Sequence, residues 1–156
     1  MPRTSAPPLG DQQFDAWRAF LRAQAELIRT LDRELEAERG LPITFFDVLV
    51  QLSKAGGRLR MSELADAVLL SRSGVTRLVD RMVRAGLVRR EACPTDRRSM
   101  YATLTAKGNR ALAQARPVHL RGVAEHFGRH LSDEEAKMLA AALGRMAPTP
   151  DGEDAC

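Results

Sequence analysis

Side chains that can bond DNA bases or phosphates share one face of a short predicted helix. They are Arg72, Ser73, Thr76, Arg77, Arg81 and Arg84. Arginine can clasp a guanine through O6 and N7, and serine and threonine hydroxyls can bond bases or phosphates. A major groove about 12 Å wide admits one helix, whose outer face near its N-terminus meets the base edges. This face therefore predicts a helix that reads DNA.

A second basic cluster follows at the tip of a predicted hairpin. Arg97 and Arg98 lie there, and arginine suits a narrow minor groove, where negative potential is concentrated. Residues 58–98 hold ten arginines against five acidic residues, whereas the whole chain carries a net charge of +4. The positive charge is thus concentrated where the DNA-binding side chains are expected.

The segment before the DNA-reading helix has the pattern of a helix and a turn. Gly56 and Gly57 predict a turn, which is followed by a brief extended piece over residues 58–61. Ser62 is expected to cap a short helix over residues 63–69, and Ser71 to cap the DNA-reading helix. That second helix has an apolar face opposite its arginines, formed by Val75, Leu78, Val79, Met82 and Val83.

The segment after the DNA-reading helix predicts a wing. Gly86 ends the helix. Residues 87–91 and 100–104 then have the pattern of two hairpin arms around a polar, basic tip at residues 93–98. Helix, turn, helix and wing follow one another in that order.

Long helices are expected on both sides of this unit. Apolar residues recur at spacings of three and four over residues 11–39, which predicts a helix about 40 Å long. Such a helix exceeds the needs of a compact domain of this size, so we expect its apolar stripe to pack partly on a second copy of the chain. Thr44 is expected to cap the next helix, with Asp47 favouring the helix N-terminus.

The last third of the chain is also predicted to be helical. Thr105 is expected to cap a helix that runs towards His130, and Pro117 inside it predicts a kink. Ser132 starts a capping box, with a last helix from Met138 to about Met146.

The fold class is therefore mainly α, with a winged helix-turn-helix between long dimerisation helices. Residues 41–104 form the expected DNA-binding domain, and residues 11–40 and 105–147 the dimerisation region. Residues 1–10 are expected to be a disordered leader and residues 148–156 a disordered acidic tail.

The winged-helix segment resembles that of the MarR family of bacterial transcription regulators. The similarity lies in Leu64-Ala65, in SRSGVTRLVDRMVRAGLVRR (71–90) and in PTDRRSMYATLTAKG (94–108). It covers residues 41–108 closely and the flanking helices more loosely. The resemblance implies a homodimer that uses helices from both chain ends, and repression of nearby genes that a small ligand or an oxidant relieves.

The same resemblance assigns roles to individual residues. Arg77 matches a recognition-helix arginine that contacts DNA, and Arg97 and Arg98 match the wing arginines, at least one of which enters the minor groove. Asp96 matches the wing acid that orients an arginine, and a purely structural role in the hairpin turn is an equal alternative.

An aromatic or amphipathic effector is one hypothesis for what controls DNA binding. The resemblance implies a ligand site where the flanking helices meet the winged helix, and Trp17, Phe45 and Phe46 could line it. Core packing or a dimer interface is the preferred interpretation of each, because an apolar stripe at helical spacing needs no ligand.

A metal and a thiol switch are further alternatives. His119, His126 and His130 could share a helix face and bind zinc, although a surface or interface cluster is favoured. Cys93 lies among Arg89, Arg90, Arg97 and Arg98, which could lower its pKa, although an inert loop cysteine is favoured.

Several classes of protein are disfavoured by the sequence. No motif for phosphate binding or nucleophilic catalysis is found, so we expect neither an enzyme nor a cofactor. The apolar runs are too short to cross a bilayer, and a cytoplasmic location is expected. The expected partners are double-stranded DNA, a second copy of the chain and a small-molecule effector. A winged helix that binds protein instead of DNA is the alternative from another class.

Overall fold

The computed structural model describes residues 8–68, 72–96 and 98–147. Ser71, Arg97, most of the predicted leader and the predicted tail lie outside the described residues. In chain order the elements are α1 (Asp11–Arg39), α2 (Ile43–Lys54), β1 (Arg58–Arg60), α3 (Met61–Ala67), α4 (Arg72–Arg84), β2 (Val88–Ala92), β3 (Met100–Leu104), α5 (Ala106–His126), a 3-10 turn (Gly128–His130) and α6 (Asp133–Met146).

The long first helix has the predicted bounds. Helix α1 spans 29 residues, and its end is set by Gly40, which adopts the left-handed conformation at φ 59° and donates its N–H to the Glu36 carbonyl. Within α1 only Leu31 and Leu35 are buried. The N-terminal half of this helix therefore presents its apolar stripe outside the core of the protomer.

The predicted cap of α2 was wrong. The helix begins at Ile43, one residue before Thr44, and its first N–H donates to the Asp32 carboxylate of α1 at 2.7 Å. A carboxylate at this end is favoured because the first N–H groups of a helix lack partners inside it. Asp47 instead lies 3.5 Å from the Gln51 amide, one turn further along. This hydrogen bond joins the start of α2 to α1.

The wing hairpin is confirmed, with its first arm shifted by one residue. Strands β2 and β3 pair antiparallel, with Val88 opposite Leu104 and Ala92 opposite Met100. Strand β1 pairs with the other edge of β3, so the sheet order is β1-β3-β2. The short strand before α3 thus joins the base of the wing.

The predicted cap of α3 was also wrong. The helix begins at Met61, so Ser62 is already its second residue. The Glu63 carboxylate closes the N-terminus by accepting the Arg60 backbone N–H at 2.9 Å.

Helix α4 separates an apolar face from a polar one. Four of its five predicted apolar residues are buried: Val75, Leu78, Val79 and Met82. The fifth, Val83, is 38% exposed. This prediction was wrong because each residue advances about 100° around a helix, which turns Val83 away from the core face that ends at Met82.

The two C-terminal helices begin with the predicted caps. Thr105 Oγ1 accepts the Gly108 N–H at 3.0 Å, and Ser132 Oγ accepts the Glu135 N–H at 3.3 Å. Helix α5 continues through Pro117 and ends at His126, four residues before the predicted end. Helix α6 begins at Asp133 rather than Met138, directly after its capping serine.

One hydrophobic core joins α2 to the winged helix. Leu49 and Leu52 of α2, Leu64 of α3 and Met82 of α4 have no exposed surface. Helix α6 contributes no buried residue to this core. In the described part of the chain, no helix is long and apolar enough to span a membrane.

Candidate nucleic-acid interface

The outer face of α4 is exposed along its length. Arg77 and Arg84 are solvent-exposed, as are Ser73 and Thr76 near the helix start. Arg81 is exposed too, and its guanidinium carbon lies 5.2 Å from the centre of the Phe45 ring. A cation above an aromatic face is attracted to it, so Arg81 also ties α4 to α2. Arg72 begins the helix, but its side chain is outside what the structure describes.

An arginine that was not predicted to act at this interface holds α4 against the wing. Arg90 of β2 forms an ion pair of 2.9 Å with Asp80 and donates to the Thr76 carbonyl at 3.2 Å. The guanidinium therefore bridges a strand and the middle of α4. The alternation of buried and exposed side chains along β2 does not reveal this role of Arg90, because its partners Asp80 and Thr76 belong to α4.

The wing tip is organised by Asp96. Its carboxylate accepts the Arg98 backbone N–H at 3.0 Å and the Ser99 hydroxyl at 2.7 Å. These bonds, the Ser99 one above all, lower the pKa of Asp96. Among described residues, the carboxylate bonds the backbone of Arg98 rather than its side chain. These two bonds are those expected of a hairpin-turn residue, and Arg97 lies outside the described residues.

A polar cleft lies between α4 and the wing. Its volume is about 350 Å³, and its polar lining comes from β1, the start of α3, α4 and the wing: Arg60, Ser62, Thr76, Arg98 and Ser99. Arg60 is positioned by Tyr101, whose hydroxyl accepts from Nε at 3.3 Å. Thr76 and Arg98 were predicted from the sequence to contact DNA. Arg60 and Ser62 were not, because nothing in the local pattern shows that β1 ends beside the wing.

Comparison with known proteins identifies the fold family. The sequence profile of the MarR family matches residues 39–99. The uncharacterised HTH-type transcriptional regulator YkoM of Bacillus subtilis is 31% identical over 83% of this chain and 82% of its own length. The chain belongs to the MarR family.

Solved structures of MarR-family proteins agree with the present fold. Sco3205 of Streptomyces coelicolor, solved in complex with DNA, is 32% identical, covers 97% of each chain and superposes with a TM-score of 0.86. AbsC of the same organism is 36% identical over 91% of this chain and 96% of its own, with a TM-score of 0.83. The present chain is thus a transcription regulator of this DNA-binding family.

The wing of this chain also contains a buried cysteine. Cys93 is 4% exposed, and its Sγ lies 3.3 Å from Thr95 Oγ1 and 4.0 Å from the Tyr101 hydroxyl. Hydrogen bonds from Thr95, first through its hydroxyl and then through its backbone, lower the pKa of Cys93 to about 7. Of the arginines that the alternative interpretation invoked, the described ones, Arg89, Arg90 and Arg98, are not among the main causes of this lowered pKa.

Replacing Thr95 by valine should raise the pKa of Cys93 from about 7 towards the ordinary thiol value of about 8.5. The hydroxyl stabilises the thiolate, so the folded-state pKa is depressed. The stability that the folded protein gains from the ionised Cys93 thiol is therefore present above the unfolded-state pKa of that thiol. It is lost as the pH falls through about 7. Thiolate absorbance in a Cys156→Ser background measures the midpoint, with Thr44→Val as the control. An unchanged midpoint in Thr95→Val would contradict this assignment.

The three aromatic residues suggested for an effector site are not brought together. Phe45 and Phe46 are buried in the core at 8% and 6% exposure. Trp17 is 52% exposed and lines a groove against α6. They lie apart because α2 packs its two phenylalanines inward, whereas Trp17 lies on the half of α1 outside the core.

The three histidines do not converge on a metal. His119 lies against Phe46, with ring centres 4.5 Å apart, and burial lowers its pKa. His126 instead pairs with Glu34 of α1 at 2.5 Å, and His130 lies beyond the end of α5 in the 3-10 turn. Among the residues that the structure describes, no group of three metal-binding side chains is found. Because α5 ends at His126, His130 does not continue the helix face that the spacing suggested.

An apolar surface covers the N-terminal half of α1 and the facing side of α6. Two grooves lie between these helices, with volumes of about 580 and 710 Å³. Phe20, Leu139 and Leu143 line both. Trp17 and Phe20 are 52% and 42% exposed, well above the exposure of core residues. We call this region the α1–α6 surface.

Proposed function

We propose that the protein is a homodimeric repressor that binds a pseudo-palindromic operator. Each protomer would place α4 in a major groove and its wing in the adjacent minor groove. The observation that carries this proposal is the two-sided α4, whose apolar face is buried while Ser73, Thr76 and Arg77 are exposed beside a basic wing. The two α4 helices of the dimer would contact grooves about 34 Å apart.

The proposed DNA contacts divide into two groups. Thr76 and Arg77, near the start of α4, would meet base edges together with Arg72 and Ser73. Arg81 and Arg84, further along α4, would meet phosphates, while Arg97 and Arg98 would serve the minor groove. Asp96 would act through the turn that presents these wing arginines.

The α1–α6 surface supports the dimer. Trp17, Phe20 and Ile28 are at least 42% exposed, and exposed apolar patches of this kind mark protein interfaces. In a two-fold dimer the same surface of both protomers is buried. Residues 11–40 and 105–147 would then form the dimerisation region, as the sequence predicts.

A small aromatic or amphipathic ligand is proposed to release DNA. The ligand must bind more tightly to a dimer whose α4 helices are wrongly spaced. Contacts between the start of α5 and the residues that follow α4 would couple the dimerisation region to the DNA-reading helix. The Thr105 hydroxyl donates to the Gly86 carbonyl at 2.7 Å, and Lys107 Nζ donates to the Ala85 carbonyl at 2.7 Å. A shift of α5 in the dimer would thus move α4.

The metal and thiol alternatives find less support. The three histidines lie apart, and the thiol of Cys93 is buried. A protein-binding winged helix is disfavoured because the exposed face of α4 carries arginines rather than apolar side chains.

Substituting Arg77 by alanine is expected to weaken operator binding by about 1–3 kcal/mol at each half-site, because the variant loses a base contact. Binding to random duplex should fall much less. Fluorescence anisotropy with a duplex that the wild type selects from a randomised pool measures both affinities. Arg116→Ala, an exposed arginine on α5, is the control. Equal losses on selected and random DNA would show that Arg77 only contacts phosphates, and failure to select any sequence would refute operator binding.

A further inference from the structure

The cleft between α4 and the wing lies where a DNA strand must pass. With α4 in a major groove and the wing in the neighbouring minor groove, the sugar-phosphate strand that separates the two grooves runs between them. The cleft is open between these same two elements, with Thr76 on the α4 side and Arg98 and Ser99 on the wing side. Its floor comes from the junction of β1 and α3, which contributes Arg60 and Ser62.

The donors in this cleft suit a phosphate. Arg60 donates from Nε to Tyr101, so its terminal amino groups can serve an anion. Arg98 and Ser62 are exposed and add a second cation and a hydroxyl. The Ser99 hydroxyl is already committed to Asp96, whose carboxylate is in turn occupied by the wing backbone. Asp96 stays ionised, because these bonds lower its pKa, and two of its acceptor positions are occupied by donors of the wing itself.

Arg60 also lies over the ring of Tyr101. Its guanidinium carbon lies 5.9 Å from the centre of the Tyr101 ring, and that of Arg58 lies 5.2 Å from the same ring. Tyr101 belongs to β3, the second arm of the wing. A cation held by the wing loses less conformational entropy on binding than a free surface arginine.

We propose that this cleft binds one phosphodiester of the strand between the two grooves, with Arg60 and Ser62 as its donors beside Arg98. This inference rests on the proposed DNA binding and extends it to a third element, the β1–α3 junction. The contact would be independent of base sequence, and would set how deeply α4 and the wing enter their grooves.

A salt titration of Arg60→Gln tests this contact. Binding to the selected duplex and to random duplex is measured by anisotropy between about 50 and 200 mM salt. The variant should weaken binding to both DNAs by the same factor, on the order of tenfold. A dimer loses two phosphate contacts. The plot of log affinity against log salt should therefore become shallower, with the magnitude of its negative slope reduced by about 2. Arg60→Lys should recover the slope because it keeps the charge.

Matched variants separate the possible outcomes. Arg116→Gln removes the same charge from α5 outside the cleft and should leave the slope close to that of the wild type. Thermal unfolding checks each variant, and if Arg60→Gln is unfolded, a uniform loss on both DNAs in Ser62→Ala supports the contact. An unchanged slope in folded Arg60→Gln, or a loss confined to the selected duplex, would overturn it. Wild-type protein that selects no sequence would overturn the proposed function as well.

Discussion

Phe20→Glu is expected to convert the proposed dimer into monomers and to weaken binding to the proposed operator by at least about 100-fold. Phe20 is 42% exposed and lines both grooves of the α1–α6 surface. In a two-fold interface each substitution is present twice. A cost of about 2 kcal/mol per copy would weaken dimerisation about 1000-fold. A monomer reaches only one half-site, so most of the specific affinity should be lost with the dimer.

Light scattering and the anisotropy assay measure the two effects of Phe20→Glu. Arg22→Gln is the matched control because it changes the charge of α1 by the same amount. Arg22 lies two residues on, about 200° around the helix, and lines a different surface hollow from Phe20. A Phe20→Glu variant that remains a dimer with wild-type operator affinity would refute the α1–α6 surface as the interface.

Gly108→Ala is expected to lower the free energy of unfolding by about 2–4 kcal/mol. A Cβ at this position would lie 2.1 Å from the Leu87 carbonyl oxygen and 2.9 Å from Leu104 Cδ1. The first contact is with backbone, which cannot rotate away, so α5 must move away from the segment that joins α4 to β2. That movement would also strain the bond from the Gly108 N–H to Thr105, which caps α5.

Urea unfolding at one fixed protein concentration measures this effect, because the stability of a dimer depends on concentration. Gly144→Ala supplies a control of opposite sign. Gly144 is an exposed glycine of α6 whose added Cβ would meet nothing within 4 Å. Alanine there should raise stability by about 0.5–1 kcal/mol, because it favours the helix over the unfolded chain. Equal stability of Gly108→Ala and the wild type would contradict the close packing of α5 on Leu87.

Features that depend on neighbouring residues were predicted from the sequence. The bounds of α1, the buried face of α4 and the Thr105 cap each follow from spacings of three or four residues or from a single capping side chain. The wing was predicted from its alternating arms and its polar tip. The residues proposed to contact bases were found in the same way, because a two-sided helix shows its exposed face in the sequence.

Features that depend on distant residues were missed or misjudged. Asp32 rather than Thr44 caps α2, and Arg90 bridges to Asp80 and Thr76 across two elements. The Arg60 cleft exists only because β1 pairs with the wing strand β3. No pattern in the printed sequence indicates which of several exposed carboxylates or arginines a fold will bring together.

The sequence by itself determined the order of elements, the two faces of α4 and membership of a DNA-binding class, because these depend on local periodicity and side-chain type. Only the tertiary structure decided that His126 pairs with Glu34, 92 positions away, and that Trp17 lies apart from Phe45 and Phe46. The physical reason is that such contacts depend on how α1, α2 and α5 pack together. That packing is the outcome of burying the whole apolar surface at once rather than of any one segment.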